Sequence, residues 1–396
     1  MNELTKRDFL KRLGLLSAAG AAGAARSEDF MPTGSSLPPG AIGDPKNVWF
    51  GRNVYPLPHT IEDGPSARMA DGRVVMPARE IPVFHETDVV VVGGGPAGFA
   101  AAVSSARAGA KTALVERAGS LGGLFTNGMV LAMMGTSVRQ ENGTWTVVTR
   151  GVCGEFMERL RSMGPSATTG RVPENRHWQP TVDPEAAKYL MDRMVEESKV
   201  EMFFHAWGVD VIQSGDEVKG VVFQSKQGLQ AILAKQVVDC TGDGDIFFSA
   251  GCDYRQVTHG IGFVARLGNM DRIAAKCPPA SPGVAPDGRP KPWPTRGSGG
   301  NRQWWWGGRQ GPKGDGLSVR ALTAAVPTKG ENVLAAGRCI GAPDSIETFR
   351  LICPCMVSGQ AAGVAAALSV RHGLVPRKLP YAPLKEELLR QGAFLG

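Results

Sequence analysis

Residues 88–116, DVVVVGGGPAGFAAAVSSARAGAKTALVE, constrain the fold of this chain more than any other segment. A continuous β-branched run at 88–92 predicts a strand buried on both faces, as in a parallel sheet. Small residues from Pro96 to Arg107 predict a closely packed helix, with Gly109 where a C-cap favours glycine. The apolar run 111–115 predicts the next strand, so the segment predicts one strand–helix–strand unit.

The turn between the first strand and the helix carries the pattern Gly93-x-Gly95-x-x-Gly98. Gly93 permits a tight turn, Gly95 lets a pyrophosphate approach the backbone, and Gly98 lets helix and strand pack closely. The helix N-terminus offers unpaired N–H groups and a positive dipole end to the phosphates. Glu116 lies 23 residues after Gly93, where a carboxylate accepts hydrogen bonds from ribose hydroxyls. The pattern predicts a dinucleotide site but does not distinguish FAD from NAD.

Three later blocks favour FAD over NAD. The segment VERAGSLGG places Gly122 and Gly123 where a second backbone approach would follow an extended dinucleotide. The segment VVDCTGDGD, residues 237–245, ends a predicted strand in a glycine-containing turn. Residues 331–368 predict a last core strand, a loop and a helix rich in small residues.

The chain between these blocks contains a predicted helix and several short strands. Residues 183–199 predict a helix with Asp183 as N-cap and Pro184 at its first position. The following segments predict a small antiparallel sheet and then a strand that ends near Cys240.

Across roughly residues 86–375, the four blocks resemble the FAD-dependent oxidoreductases with a glutathione-reductase-type FAD fold. The resemblance implies the α/β class, with a Rossmann-like three-layer FAD domain and a small β-rich, loop-rich substrate region. It implies noncovalent FAD, because no His lies in the LGGLFTNG block. The implied cofactor-binding residues are Gly93, Gly95, Pro96, Ala97, Gly98, Glu116, Arg117, Gly122, Gly123, Val209, Thr241, Gly242, Asp243, Gly337, Arg338 and Gly359.

The resemblance also implies a place for each block along the cofactor. The first glycine turn would hold the pyrophosphate, Glu116 the adenosine ribose, and the main chain of Val209 the adenine. Gly337 and Arg338 would lie beside the ribityl chain or the flavin ring. A helix from about Cys355 would direct its positive end at the flavin, which stabilises the anionic reduced ring.

Three residues near the closing loop are candidates for catalysis: Arg350, Asp344 and Cys355. Arg338 and Arg350 suit a clamp for a carboxylate or for anionic flavin, with a structural ion pair as the alternative. Where family members commonly carry a His, this chain has Asp344, an acid–base candidate or a loop cap. Cys353 and Cys355 begin a predicted helix, a position that lowers a thiol pKa; redox chemistry or packing against the flavin are the alternatives.

The N-terminus, TKRDFLKRLGLLSAAGAAGAARS, predicts an export signal, because a basic start precedes a short apolar run and an Ala-x-Ala site. It resembles the twin-arginine type with Lys6 in place of the first Arg before Arg7; the alternative is an amphipathic helix of the mature protein. We therefore expect an exported bacterial protein, periplasmic or otherwise extracytoplasmic. The predicted organisation is an export signal at 1–25, an irregular leader at 26–85, an FAD-binding domain at 86–252 and 330–375, a reduced substrate or cap region at 253–329 and a C-terminal tail at 376–396.

The predicted substrate region is short, with roughly 80 residues between the TGDGD block and the last core strand. The roof of the active site is therefore either reduced or completed by another subunit of a homo-oligomer. Residues 301–310, NRQWWWGGRQ, suit stacking on a sugar or an aromatic substrate, contact with a partner subunit, or a cover for the flavin.

Composition excludes several other classes of protein. The net charge of +7 is scattered and no nucleic-acid motif accompanies it, so nucleic-acid binding is not expected. Seven Cys at irregular spacings predict neither a disulfide framework nor a metal site. The sequence has no apolar run of about 20 residues, so no membrane span is expected.

The predicted activity is hydride transfer between a small organic substrate and noncovalent FAD. Because the sequence has no second GxGxxG, we expect an external electron acceptor rather than a built-in NAD(P)H domain. Two alternatives stay open: a non-catalytic flavoprotein with structural FAD, and an NAD-dependent dehydrogenase with a single Rossmann unit.

Overall fold

A computed structural model describes residues 67–164, 166–168, 180–259, 263–266, 303–306, 317–322, 330–340 and 350–395. All of them belong to the second of two units, 61–396. The strands are β1 (Arg68–Ala70), β2 (Arg73–Val75), β3 (Val83–Val92), β4 (Thr112–Glu116), β5 (Ser137–Arg139), β6 (Trp145–Val147), β7 (Glu201–Phe204), β8 (Trp207–Ser214), β9 (Glu217–Ser225), β10 (Gly228–Asp239), β11 (Tyr254–His259), β12 (Phe263–Arg266), β13 (Gln303–Trp306), β14 (Leu317–Leu322) and β15 (Val333–Ala335). The helices are α1 (Pro96–Arg107), α2 (Gly151–Ser162), α3 (Pro184–Glu197), α4 (Asp245–Ser249), α5 (Ile352–His372) and α6 (Tyr381–Arg390).

The core is a seven-stranded sheet in the order β7-β4-β3-β10-β9-β8, with β15 also paired to β10. The parallel part of the sheet comprises β7, β4, β3, β10 and β15, in which each strand is parallel to the next. The buried valine run of β3 predicts this arrangement. β10 pairs with β3 along one edge, while its other edge pairs with β9 at Gly228–Leu233 and with β15 at Val237–Asp239. The predicted α/β class and Rossmann-like strand–helix–strand unit are confirmed.

The predicted antiparallel strands are present, and they form part of the central sheet. β8 and β9 are antiparallel, but they continue the central sheet because β10 is twelve residues long and its first half pairs with β9. The region 253–329, predicted to be β-rich and loop-rich, contains β11 to β14, which form two antiparallel pairs: β11 with β14 and β12 with β13.

Helices α1 and α5 form the most extensive helix–helix contact of the described fold. A Cβ at Gly359 would overlap the carbonyl oxygen of Ala97, and a Cβ at Gly363 would overlap that of Ala101. Small residues therefore let the two backbones approach closely.

α5 is also long and apolar enough to cross a membrane. Its most apolar 18 residues have a mean hydropathy of 1.4, but 78% of that stretch is buried inside the protein. The helix is the core helix of this unit.

Three other segments differ in their agreement with the prediction. α3 begins as predicted, with Asp183 accepting hydrogen bonds from the N–H groups of Glu185 and Ala186 at 3.0 Å each. The predicted C-terminal tail instead contains α6, whose Leu388 is buried against Val364 of α5. The predicted leader likewise contains the β1–β2 hairpin and the first residues of β3.

Candidate functional site

The first glycine turn joins β3 to α1 at the carboxyl end of the sheet. Gly93 has φ +98°, and a Cβ at Gly98 would overlap its carbonyl oxygen, so both positions require glycine. Gly95 is the N-cap of α1, with φ −66° and ψ −175°, and Pro96 occupies the first helical turn. Apart from Gly95 and its two chain neighbours, no described residue has an atom within 4 Å of the place where a Gly95 Cβ would project. The turn therefore leaves an open cradle in front of the N-terminus of α1, the shape that a pyrophosphate requires.

The second glycine turn lies directly against the first. The Gly122 N–H donates to the Gly94 carbonyl oxygen at 2.8 Å. A Cβ at Gly123 would lie 3.2 Å from the Cα of Gly95, and both Gly122 and Gly123 have positive φ. Thr126 supports this turn, since its hydroxyl donates to the Leu121 carbonyl at 2.6 Å. The two turns are thus one continuous backbone surface.

Glu116 fixes the geometry of the first turn. Its buried carboxylate accepts the Gly94 N–H at 2.6 Å through Oε2 and the Ala118 N–H at 2.7 Å through Oε1. Each carboxylate oxygen carries a second lone pair, so both remain able to accept a hydroxyl. Sequence reasoning predicted the ribose contact and missed this second role in holding the glycine turn.

Residues 240–244 form the third turn of the site, between β10 and α4. Asp239, at the end of β10, organises this third turn and was not predicted. Its carboxylate is fully buried and accepts four hydrogen bonds at 2.8–3.0 Å, from the N–H and hydroxyl of Thr241 and the N–H groups of Ile246 and Phe247. Burial raises the pKa of this carboxyl, and its hydrogen bonds to Phe247 and Thr241 oppose that shift. A lone Asp at the end of an apolar strand, just before a glycine turn, was the signal in the sequence.

Arg338 joins the third turn to the end of β15. Its guanidinium forms an ion pair with Asp243 at 2.8 Å and packs on Gly242, whose Cβ would lie 2.6 Å from Arg338 Nε. The sequence left two roles open for Arg338, a clamp for a carboxylate or anionic flavin and a structural ion pair. The structure shows the ion pair, with Asp243. The neighbouring Gly337 N–H donates to the Ser358 hydroxyl at 3.0 Å, which ties the strand end to α5.

The cysteines at the start of α5 have raised, not lowered, pKa values, so that expectation is wrong. Burial raises the pKa of the Cys355 thiol to about 12, although Arg338 opposes the shift. The pKa of Cys353 also lies well above its usual range, because its thiol is hydrogen-bonded to Cys153 and is buried. The hydrogen bond with Cys153 is the larger cause at Cys353 and burial is the larger cause at Cys355, so both side chains are neutral thiols at neutral pH.

The predicted adenine contact falls on a β-bulge. The register of β8 against β9 shifts between Gly208 and Asp210, so Val209 has no partner residue in that ladder. A bulged residue has peptide groups outside the regular hydrogen-bond pattern. Trp207, two residues earlier, has the Arg117 guanidinium carbon 5.5 Å from its ring centroid. Sequence reasoning did not single out Trp207.

The remaining predicted residues do not all join this surface. Gly359 packs against α1 rather than facing an open cradle, and Ala97 is buried in the same contact. Arg350 is exposed just before the N-cap of α5. Asp344 and most of residues 301–310 lie outside the described residues. Within the described ranges, no three His, Cys, Asp or Glu side chains are close enough to hold a metal ion.

Together the three turns define a dinucleotide-binding α/β protein, with the site at the carboxyl ends of β3, β4 and β10. A sequence model of the family described as FAD dependent oxidoreductase matches residues 88–277 and 317–388. The chain belongs to this FAD-dependent oxidoreductase family, so it is an enzyme and its cofactor is FAD. The glycine cradle and the Glu116 carboxylate fit that cofactor.

Individual relatives are similar over shorter or more divergent stretches. A dihydrolipoyl dehydrogenase from Trypanosoma brucei brucei is 55% identical over 49 residues, 12% of this chain and 10% of that protein. The chain thus spans about a tenth of this curated relative. A geranylgeranyl bacteriochlorophyll reductase-like protein from Thermoplasma acidophilum has 14% identity and a TM-score of 0.42, over 78% of this chain and 86% of that one. An aromatic hydroxylase from angucycline biosynthesis has 16% identity and a TM-score of 0.45, over 76% and 65%.

Proposed function

We propose that this enzyme transfers a hydride between a small organic substrate and noncovalently bound FAD, and that an external acceptor takes the electrons. The main support for the FAD site is the hydrogen bond from the Gly122 N–H to the Gly94 carbonyl oxygen. This bond joins the two glycine turns into one surface beside the Glu116 carboxylate. A surface that extends past the first turn suits an elongated dinucleotide whose second half lies beyond the pyrophosphate.

The residues of the three turns hold the cofactor in this proposal. The N–H groups at the start of α1 bind the pyrophosphate through the Gly95 cradle, and Glu116 accepts the adenosine ribose hydroxyls. The Val209 main chain contacts the adenine, and the turn at Thr241 borders the nucleotide. When bound, FAD supplies the two-electron acceptor for a hydride.

In this proposal, residues that begin α5 or precede it in the sequence act on the substrate side. Arg350, exposed before that helix, orients an anionic group of the substrate. Asp344 is the proton donor or acceptor. Cys355 packs against the flavin as a neutral thiol, because its raised pKa excludes a thiolate at neutral pH. Arg338 and Asp243 shape the site as an ion pair.

We propose further that the protein is exported in folded form with FAD already bound. The support is the N-terminal segment at 1–25, which has the basic start, apolar run and Ala-x-Ala site of an export signal. Fractionation of cells that produce the full chain tests this, with Arg7→Ala as the variant expected to keep the protein in the cytoplasm.

The test of the proposed activity is anaerobic bleaching of the flavin. The purified protein is expected to be yellow, to release FAD on denaturation, and to lose its visible absorption with one class among sugars, hydroxy acids and amines. A protein that binds no added FAD would overturn the proposal at the cofactor. A yellow protein whose flavin is bleached by a chemical reductant but by none of these substrate classes would favour a structural role for FAD.

A further inference from the structure

We propose that Trp207 and Arg117 form the wall of the adenine end of the site, with the Arg117 guanidinium held between the indole and the purine. The proposal rests on FAD binding as described above. It adds a residue, Trp207, that no motif in the sequence indicates.

The two segments that carry the pair are joined by backbone hydrogen bonds. The His205 N–H donates to the Ala118 carbonyl at 3.2 Å, and the Ala206 N–H donates to the Glu116 carbonyl at 3.1 Å. These bonds place Arg117 beside Trp207, with the guanidinium carbon 5.5 Å from the ring centroid. The pair is therefore set by the backbone that also positions the ribose carboxylate.

The pair is exposed on the side where the adenosine would lie. Gly208 faces inward, since its Cβ would lie 2.5 Å from Cγ1 of Val92, while Trp207 and Val209 on either side of it are exposed. Trp207 keeps 52% of its surface exposed, although indole is costly to leave in water. The exposed ring thus lies two residues from the bulge at Val209, the predicted main-chain contact of the adenine.

The chemistry of the pair suits a purine. Trp is the best aromatic partner for a cation, and guanidinium is planar and stacks on aromatic faces. The guanidinium carbon lies 5.5 Å from the indole centroid and Arg117 is exposed, so the guanidinium can also contact a flat aromatic ring. The adenine is the only ring of FAD next to the ribose that Glu116 binds, so the pair recognises the adenosine half and not the flavin half.

The experiment measures ligand affinity of the deflavinated full chain, with FAD by flavin fluorescence and ADP by calorimetry. Trp207→Ala is expected to weaken both FAD and ADP by about 3–30-fold, the range of a desolvated cation–π contact. Trp207→Phe is expected to restore most of that loss. Arg117→Met is expected to weaken both ligands, and the double variant to lose no more than the larger single loss, since the two side chains act as one unit.

The control is Tyr381→Ala, which removes an aromatic side chain that is 65% exposed on α6. It is expected to leave both affinities unchanged, and circular dichroism shows whether each variant is folded. Unchanged FAD affinity in a folded Trp207→Ala protein would overturn the inference. A loss for FAD without a loss for ADP would also overturn it, because the effect would not lie at the adenine. Failure of the unaltered protein to bind FAD would instead overturn the proposed function.

Discussion

Gly95→Ala is expected to weaken FAD binding at the first glycine turn while the protein stays folded. Gly95 has an extended backbone that any residue adopts, and its Cβ would meet no atom among the residues that the structure describes. Replacing Gly by Ala at an N-cap costs only about 0.5–1 kcal/mol of folding stability. The same methyl group would project into the cradle in front of the N-terminus of α1, where the pyrophosphate needs direct access to the backbone.

The expected loss in FAD affinity follows from one charge-assisted hydrogen bond. Such a bond to a phosphate contributes about 1.5–3 kcal/mol, so Gly95→Ala is expected to weaken FAD by roughly 10–100-fold. Fluorescence titration measures the affinity, and thermal unfolding of the deflavinated protein measures stability. Gly98→Ala is the matched variant, expected to destabilise the fold because its Cβ would overlap the Gly93 carbonyl. A folded Gly95→Ala protein with unchanged FAD affinity would refute the reasoning.

Three further predictions concern packing, pH and the buried thiol. Gly363→Ala would press a methyl group on the Ala101 carbonyl and is expected to cost about 1–3 kcal/mol in urea unfolding; an unchanged midpoint would contradict the close helix contact. Burial raises the pKa of Asp192 to about 6, so the native state binds more protons than the unfolded chain, and stability is expected to fall by about 1–3 kcal/mol as pH rises from 4 to 6. Asp192→Asn should remove that slope, and a slope that persists would assign it to another group. Cys355→Ser is expected to reduce flavin at a rate within about threefold of the unaltered protein, measured by stopped flow, because the thiol is neutral. A much larger loss of rate would indicate that the thiol takes part in redox chemistry.

The strand–helix–strand unit could be predicted because its signals are local. The valine run, the glycine spacing and the position of Glu116 each depend on residues close in sequence. The N-cap of α3 at Asp183 was predictable for the same reason. The cofactor-binding part of the site could therefore be predicted from residues that are close in sequence.

Features that depend on long-range contact could not be predicted. The continuation of the sheet through β9 depends on which edge of β10 stays free, and the sequence of β9 does not contain that information. The pKa of Cys355 was expected to fall at a helix N-terminus, yet burial among other elements raises it. The contact of Arg117 with Trp207 joins residues 90 positions apart through a backbone turn that the motif does not specify.

Anaerobic titration of the flavin spectrum tests the central claim most directly. The purified protein is expected to show oxidised-flavin absorption, to lose it with one class of small organic substrate, and to regain it when an electron acceptor is added. A protein that takes up no FAD, while its circular dichroism shows a folded α/β domain, would contradict the account.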